Sequence, residues 1–396
     1  MSEAEWVADD RRFRELCDVL AGEDRYGFDT EFHRERTYYP HLALLQVAWS
    51  GGMALVDPFT VDLTPLREVF ELDVLAVAHA VDQDIEVLRL AVGTAPRRVF
   101  DTQVAAGFLG MSTPSLSRLA ADVVDVTLPK ADRLTDWTRR PLSDEQRSYA
   151  AADVAHLLDL HDALVDRLER LGRLSWAIDE CDELLSRRAS APDPEEAWWK
   201  MRDARQLRGR SRGVAQELAA WRERTAAAAD IPARFVLPDI ALASIAHRPP
   251  KTAEQLGQVR GLDARYLARG RGEQILAAVE KGTALRTEDL RLPPEVAVDR
   301  SRRAAVALAA AWVAQLAEDM SIDASLLATR SELAALLGSR PSRLDRGWRA
   351  RVVGRPVLEL AAGNAALAFD GRGGLVVEVR SRRPITPDGA GGPPSG

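Results

Sequence analysis

Two acidic side chains, Asp29 and Glu31, stand two residues apart in a run at 26–32 that otherwise has the composition of a β-strand. Successive side chains of a strand point to opposite faces, so both carboxylates share one face of any sheet that this run joins. Two like charges roughly 6 Å apart repel by on the order of 3 kcal/mol at an effective dielectric constant of about 20. A divalent cation would reverse the sign of that energy. The pair therefore predicts either a metal site or a solvated edge strand.

Length and composition bound the class of protein. A chain of 396 residues exceeds what one hydrophobic core usually spans, which favours two or three domains. No apolar run reaches the length of about 18 residues that would span a membrane, and the acidic N-terminus has no signal-peptide pattern. We therefore expect a cytoplasmic protein that does not bind membranes. Cys17 and Cys181 have no metal-type spacing, which argues against a disulfide framework or a zinc site.

The order of patterns along the chain predicts an α/β layer followed by a helical half. Strand-like runs at 42–49 and 53–56 are separated by a Ser-Gly-Gly turn at 50–52, which indicates a hairpin. A further strand-like run follows at 74–78. Helical periods then occur at 84–91, 102–109, 115–122 and 144–170. Beyond a linker-like stretch at 189–194, helices dominate.

The helical half repeats itself at an interval of 91 residues. Trp221 aligns with Trp312 and Leu242 with Leu333, and the helix exits at Asp230 and Ser321 also align. Two copies of one small helical domain are therefore expected. The predicted domains span 1–185, 195–285 and 296–380, and the Pro/Gly-rich tail at 384–396 should be disordered.

The net charge of -7 conceals a basic stretch. Between Lys200 and Arg224, eight basic residues outnumber three acidic ones. A polyanion would meet this local charge rather than the total. A solvated helix face remains the alternative explanation.

Further candidate site residues lie on two predicted helices. Asp82 and Asp84 follow the run at 74–78, where either could cap a helix or bind a metal. Tyr149 and Asp153 lie four residues apart behind a capping-box pattern, so they share one helix face. The alanines between them leave Asp153 without an obvious partner, and a metal would serve as one.

Asp29, Glu31, Asp84 and Asp153 can together supply oxygen ligands for two hard cations, an arrangement suited to phosphoryl transfer. Tyr149 would orient the attacking water, since its ordinary pKa near 10 makes proton abstraction less natural. No Walker-type phosphate loop occurs in the sequence, so nucleotide-driven motor chemistry is not expected.

These segments resemble the bacterial ribonuclease D family. The similarity covers about residues 24–170 in order and spacing, through segments at 28–32, 36–40, 79–87, 100–103, 135–142 and 149–153. It implies a DEDD exonuclease of the tyrosine subclass, with a ribonuclease-H-like mixed sheet flanked by helices. It also implies hydrolysis from the RNA 3′ end with two divalent ions, Mg²⁺ or Mn²⁺.

The resemblance also implies roles for the candidate residues. Asp29 matches the acid that bridges both metals, Glu31 and Asp153 match the ligands beside the attacking water, and Asp84 matches the remaining acid. The spacing of five residues from the family's histidine favours Asp84 over Asp82. Tyr149 matches the tyrosine that marks the subclass. Two further roles follow from the same comparison, a structural one for Asp101 and a place near the scissile phosphate for Lys130.

The helical half is similar to the HRDC module, an auxiliary nucleic-acid-binding bundle. The first copy carries the similarity at 218–221, 236–239 and 259–262. The second copy departs from it, because Ala-Thr-Arg at 328–330 replaces Leu-Pro-Asp at 237–239. Nucleic-acid contact and packing against another domain are equal possibilities for it. The expected fold class is thus an α/β exonuclease domain with a mixed sheet, followed by two all-α HRDC-type domains.

The expected function is metal-dependent 3′–5′ trimming of RNA, with tRNA precursors or other structured RNAs as substrates. The products would be nucleoside 5′-monophosphates, and a monomer is favoured. A DNA exonuclease is one alternative, because the acids do not read the sugar. A non-catalytic RNA-binding adaptor is the other.

Overall fold

The computed structural model describes residues 3–129, 135–186, 193–202, 206–268, 270–292 and 302–381. Lys130, the tail at 384–396 and most of the predicted linker at 189–194 lie outside these residues. The described chain forms two compact units: residues of 1–106 with 113–295, and residues of 107–112 with 296–396.

A six-stranded mixed sheet organises the first unit. Its strands are β1 (Glu5–Val7), β2 (Arg25–His33), β3 (His41–Trp49), β4 (Gly52–Val56), β5 (Leu75–Ala78) and β6 (Arg98–Asp101). They lie in the order β1-β4-β3-β2-β5-β6, where β3 is antiparallel to both neighbours and the other pairs are parallel. The predicted hairpin at 50–52 joins β3 to β4. Strand β2, which carries Asp29 and Glu31, is an interior strand, which rules out the edge-strand alternative.

Eight helices accompany the sheet in the described chain up to residue 186. They are α1 (Asp10–Ala21), α2 (Leu66–Glu71), α3 (Asp82–Val92), α4 (Thr102–Gly107), α5 (Leu116–Val124), α6 (Asp144–Ala155), α7 (Leu157–Arg170) and α8 (Leu174–Ser186). The single helix predicted at 144–170 is wrong, because His156 leaves helical geometry (φ -121°, ψ 10°) and divides it. The break lets α6 pack on β3 and β4 while α7 packs on β2 and β5.

The two faces of the sheet are packed differently. On one face, Phe28 and Val47 join the large hydrophobic core to which α1, α2 and α3 contribute. On the other face, Leu44 and Leu55 pack with Ala150 of α6 in a smaller cluster. Asp29 and Glu31 point to this second face, because they alternate with Phe28 along β2. The acids therefore face α6.

Residues 193–292 of the first unit form a helical domain with its own hydrophobic core. A 3₁₀ helix (Pro194–Lys200) precedes α9 (Arg210–Ala229), α10 (Ala233–Val236), α11 (Asp239–His247), α12 (Ala253–Gly257), α13 (Ala264–Leu267) and α14 (Arg271–Ala284). A further 3₁₀ turn follows at Thr287–Asp289.

The second unit contains the repeat that the sequence predicts. Its helices are α15 (Arg303–Met320), α16 (Ala324–Leu327), α17 (Arg330–Leu337), α18 (Gly347–Arg349) and α19 (Arg355–Ala361), with a 3₁₀ turn at Arg343–Asp345 and a π-helical turn at Ala350–Gly354. Asp230 and Ser321 both take a left-handed conformation after the long helix, with φ of 47° and 49°. The domain is not all-α, however, because β7 (Ala365–Phe369) and β8 (Leu375–Val379) form an antiparallel hairpin.

Within the described residues, no single helix has both the length and the apolar character needed to span a membrane. The helical segments Arg303–Met320 and Ala324–Leu337, which are bent by 118° relative to each other, reach that length and apolar character only when they are taken together.

A buried ion pair fixes the loop that leads into α6. Arg140 donates from Nε to Oδ2 of Asp57 at 2.7 Å and from Nη2 to Oδ1 at 2.8 Å, and the Asp57 side chain is only 4% exposed. The same guanidinium donates to the carbonyl oxygens of Ala43 and Trp137. Arg140 therefore ties β3, the end of β4 and the loop before α6 together.

We predict that Asp57→Ala lowers the free energy of unfolding by about 3–5 kcal/mol, because it leaves a guanidinium without its carboxylate partner. Denaturant unfolding followed by circular dichroism measures the loss. Glu71→Ala is the matched control: its ion pair with Arg67 is exposed on both sides, at 63% and 56%. That change should cost under about 1 kcal/mol. Equal losses in the two variants would contradict the proposed anchoring.

Candidate active site

Three carboxylates converge between β2 and α6. Asp29, Glu31 and Asp153 each offer an oxygen, and these oxygens all lie within 4.8 Å of one another. The strand spacing of two residues sets the first pair on one face, and α6 covers that face with small alanines that let Asp153 approach. Residues more than 120 positions apart in the chain thus form one acidic cluster.

Asp84 stands beside this cluster but outside the group of oxygens within 4.8 Å. It lies in the first turn of α3, is buried, and accepts a hydrogen bond from the Thr30 hydroxyl. Its charge raises the pKa of Asp29. The alternative candidate, Asp82, is exposed on the same helix.

Burial raises the pKa of every acid in this group, and repulsion from neighbouring carboxylates of the group adds to it at Asp29 and Glu31. Burial is the largest cause each time: it raises the pKa of Glu31 to about 8, of Asp153 to about 7 and of Asp84 to about 6. Burial and the charges of Asp84 and Asp153 raise the pKa of Asp29 well above its ordinary value. The site thus destabilises the ionised form of its carboxylates, and a bound cation would stabilise that form.

Tyr149 faces the same acids. Its hydroxyl hydrogen-bonds to Asp153, and burial together with the charge of Asp153 raises its pKa. The phenol is therefore protonated at neutral pH and acts as a hydrogen-bond donor. Its ring lies 6.1 Å from that of Trp137, measured between centroids, at an interplanar angle of 35°.

An open cavity of about 180 Å³ joins these groups. It is lined by Asp29, Glu31, His79, Leu116, Tyr149, Asp153 and Leu157. Nε2 of His79 donates to the carbonyl oxygen of Pro114 at 3.0 Å, which holds the ring in the cavity wall. Burial lowers the pKa of His79, so the imidazole is neutral at pH 7.

Asp101 has the structural role that the sequence analysis expected. Its carboxylate is 1% exposed and accepts backbone N–H groups from Ala80, Val81, Gln103 and Val104. These bonds fix the turn between β5 and α3, the helix whose first turn carries Asp84.

The loop that follows β2 is held by the first helical domain. One oxygen of Asp230 accepts the backbone N–H groups of Tyr38 and Tyr39 at 3.0 and 3.1 Å, and the other lies 2.7 Å from Nε2 of His41. The Tyr38 hydroxyl donates to Glu223 at 3.0 Å. The left-handed residue at the end of α9 therefore anchors the loop next to the acid-bearing strand.

The basic stretch is only partly available to a polyanion. Five of its members are exposed: Lys200, Arg202, Arg208, Arg210 and Arg224. Arg222 is buried and pairs with Asp239, so its inclusion in a solvent-facing basic surface is wrong. Arg205 lies outside the described residues.

Sequence reasoning missed three polar groups of this region. Thr30 lies on the face of β2 opposite to Asp29 and Glu31, yet it donates to Asp84. His79, the histidine of the segment at 79–87, lines the cavity. Gln46, inside an apolar strand, lies opposite Asp29 in the β2–β3 register. A glutamine within the run at 42–49 was the signal for it.

Comparisons with known proteins agree with this geometry. A family model described as 3′-5′ exonuclease matches residues 4–169, and one described as HRDC domain matches residues 211–279. Ribonuclease D of Granulibacter bethesdensis is 36% identical over 366 residues, covering 90% of this chain and 92% of that protein. Ribonuclease D of Jannaschia sp. is 37% identical over 378 residues, covering 92% and 96%.

A solved structure extends the similarity to the whole fold. The crystal structure of Escherichia coli RNase D, an exoribonuclease involved in structured RNA processing, matches with a TM-score of 0.83 at 32% identity. It covers 91% of this chain and 99% of that chain. Fold and site therefore define a 3′–5′ exonuclease joined to HRDC-type helices. The chain belongs to the ribonuclease D family and is a metal-dependent 3′–5′ exoribonuclease, as its motifs indicated.

The raised pKa values predict how pH acts on the metal-free protein. In the unfolded chain, Asp153 and Glu31 lose their protons near the ordinary pKa values of 3.8 and 4.5. In the folded protein they keep them until pH reaches about 7 and about 8. The folded state holds these protons in that window, so the contribution of these acids to the free energy of unfolding falls as pH rises from about 4 to about 8.

Asp153→Asn tests this in EDTA: at pH 8 the variant should be more stable than the unaltered protein, and the advantage should shrink as pH falls and vanish only below about pH 4. Asp82→Asn, the same substitution at an exposed position of α3, is the control. A constant stability gap between Asp153→Asn and the unaltered protein would contradict the raised pKa.

Proposed function

We propose that Asp29, Glu31, Asp84 and Asp153 hold two divalent ions, Mg²⁺ or Mn²⁺, for phosphodiester hydrolysis. The observation that carries this proposal is the approach of three carboxylate oxygens to within 4.8 Å, with Asp84 beside them. Asp29 would bridge both ions, Glu31 and Asp153 would bind on the side of the attacking water, and Asp84 would complete the set.

The donor set fits hard cations. All four side chains offer oxygen, which Mg²⁺ and Mn²⁺ prefer, and no cysteine joins them. Burial, with repulsion at Asp29 and Glu31, raises their pKa values and so disfavours the ionised carboxylates, a cost that positive charge would relieve. When bound, such ions would activate the attacking water and offset charge on the scissile phosphate.

The chain's own residues would orient the reaction. The Tyr149 hydroxyl, held by Asp153, can position the attacking water on the Glu31 side of the cavity. Its raised pKa makes it a donor and not a base. The neutral His79 ring and the side chains of Leu116 and Leu157 would bound the space for the terminal nucleotide.

We propose structured RNAs with single-stranded 3′ ends, tRNA precursors among them, as substrates and nucleoside 5′-monophosphates as products. The Escherichia coli relative's part in structured RNA processing supports the substrate class. The exposed basic residues of the first helical domain would contact phosphates, and Asp230 would keep that domain beside the loop after β2. In this proposal the protein acts as a cytoplasmic monomer, with domains at 1–185, 195–285 and 296–380.

We predict that Asp29→Asn and Asp153→Asn abolish hydrolysis of a tRNA that carries a 3′ extension, because each removes a ligand. RNA affinity should stay within about twofold, since phosphate contacts are made elsewhere. Products resolved by length with and without Mg²⁺ measure the effect, and filter binding measures affinity. Asp82→Asn is the control that should keep its rate. A ladder that shortens from the 3′ end supports the proposal, and internal cuts or full activity of either ligand variant would overturn it.

The sugar preference is a separate prediction. Matched RNA and DNA oligomers with a single-stranded 3′ end should be degraded at different initial rates, RNA faster, because the relatives are ribonucleases. Release of nucleotides at saturating Mg²⁺ measures both rates. Faster DNA degradation would favour a DNA exonuclease instead.

A further inference from the structure

Gln46 in β3 carries a buried side-chain amide that makes no hydrogen bond with the described residues around it. Its side chain is 0% exposed, and neither its nitrogen nor its oxygen has a hydrogen-bond partner among the described residues. Buried polar groups are nearly always paired, and an unpaired one costs about 1–3 kcal/mol. The position therefore retains an amide at a cost to stability.

The strand register places this amide beside the acids. Gln46 lies directly opposite Asp29 on β2 and opposite Leu55 on β4. Side chains that are directly opposite in an antiparallel pair share a face, with Cβ atoms about 4.5–5.5 Å apart. Helix α6 covers that face through Ala150, so the amide lies beneath the acidic cluster.

The surroundings favour Asp29 as its partner. On the same face, Leu44, Leu55 and Ala150 are apolar side chains that offer no hydrogen bond. The Asp29 carboxylate accepts the backbone N–H of Thr30 and has further lone pairs available. A carboxamide donor next to a buried carboxylate would stabilise its ionised form.

We propose that Gln46 positions Asp29 as a metal ligand: its Nε2–H donates to the Asp29 carboxylate, directly or through one water, when that carboxylate binds a cation. The inference rests on the metal site of the proposed function and adds a residue to it. Partners of this kind orient ligating carboxylates, and their loss typically weakens metal binding by about 10–100-fold.

Gln46→Met keeps the length of the side chain and removes both hydrogen-bonding groups. In EDTA, the full-length variant should unfold at the same temperature as the unaltered protein or higher, because an unpaired amide is lost. With Mg²⁺ or Mn²⁺ alone and no RNA, the concentration that gives half of the metal-induced rise in Tm should increase about 10–100-fold. Hydrolysis should show the same shift in metal dependence, with the KM for RNA unchanged.

Two controls separate positioning from packing. Leu44→Met changes a buried side chain on the same strand and face without touching an amide, so its metal midpoint should not move. Gln216→Met removes a buried glutamine whose Oε1 accepts the N–H of Arg291 at 2.7 Å. That variant should lose stability in EDTA and keep its metal midpoint. Gln46→Leu repeats the test should the methionine variant fail to fold.

The outcomes are distinct. A metal midpoint within about twofold of the unaltered protein would overturn the role of Gln46. Loss of stability in EDTA by Gln46→Met, similar to that of Gln216→Met, would also overturn it, because the amide would then have a partner in the fold itself. Failure of the proposed metal site would look different: the unaltered protein would gain no Tm from either metal, or Asp29→Asn would gain as much.

Discussion

The cost of enclosing several carboxylates together is the constraint on which the site depends. A sheet of this kind gains its stability from apolar side chains on both faces, yet β2 directs Asp29 and Glu31 into the layer beneath α6, where Asp153 meets them. The raised pKa values of all four acids express that cost. The rest of the fold must supply the free energy that keeps these groups together, and a bound cation would return part of it.

The anchoring of α6 shows how that energy is supplied. Arg140 joins the loop before α6 to Asp57 and to the carbonyl of Ala43, so the helix that carries Tyr149 and Asp153 is attached at its entry to the strands below it. The break at His156 then frees α7 to pack on β2 and β5. A rigid scaffold of this kind is what a metal site requires, because ligand geometry must hold against repulsion.

The first helical domain contributes to the same scaffold. Asp230 accepts two backbone N–H groups of the loop that follows β2, and the residue can do so because the end of α9 turns into a left-handed conformation. A module that resembles an auxiliary binding domain is thus attached within a few residues of Glu31. This contact joins the helical domain to the loop between the acid-bearing strand and β3.

Local patterns in the sequence were enough to predict that Asp29 and Glu31 share a strand face and that Tyr149 and Asp153 share a helix face, because both follow from strand and helix geometry. They also predicted the hairpin at 50–52 and the helical repeat at an interval of 91 residues. The short strands β1 and β6 and the division of 144–170 escaped them. Both strands include charged residues that interrupt an apolar run, and a histidine does not by itself break a helix. Only the tertiary structure decided that Thr30 binds Asp84, that Gln46 lies under Asp29 and that Asp230 holds the loop after β2. Those contacts join residues that are 17 to 192 positions apart in the chain. They depend on how the strands and helices pack against each other, and local sequence patterns do not encode that packing.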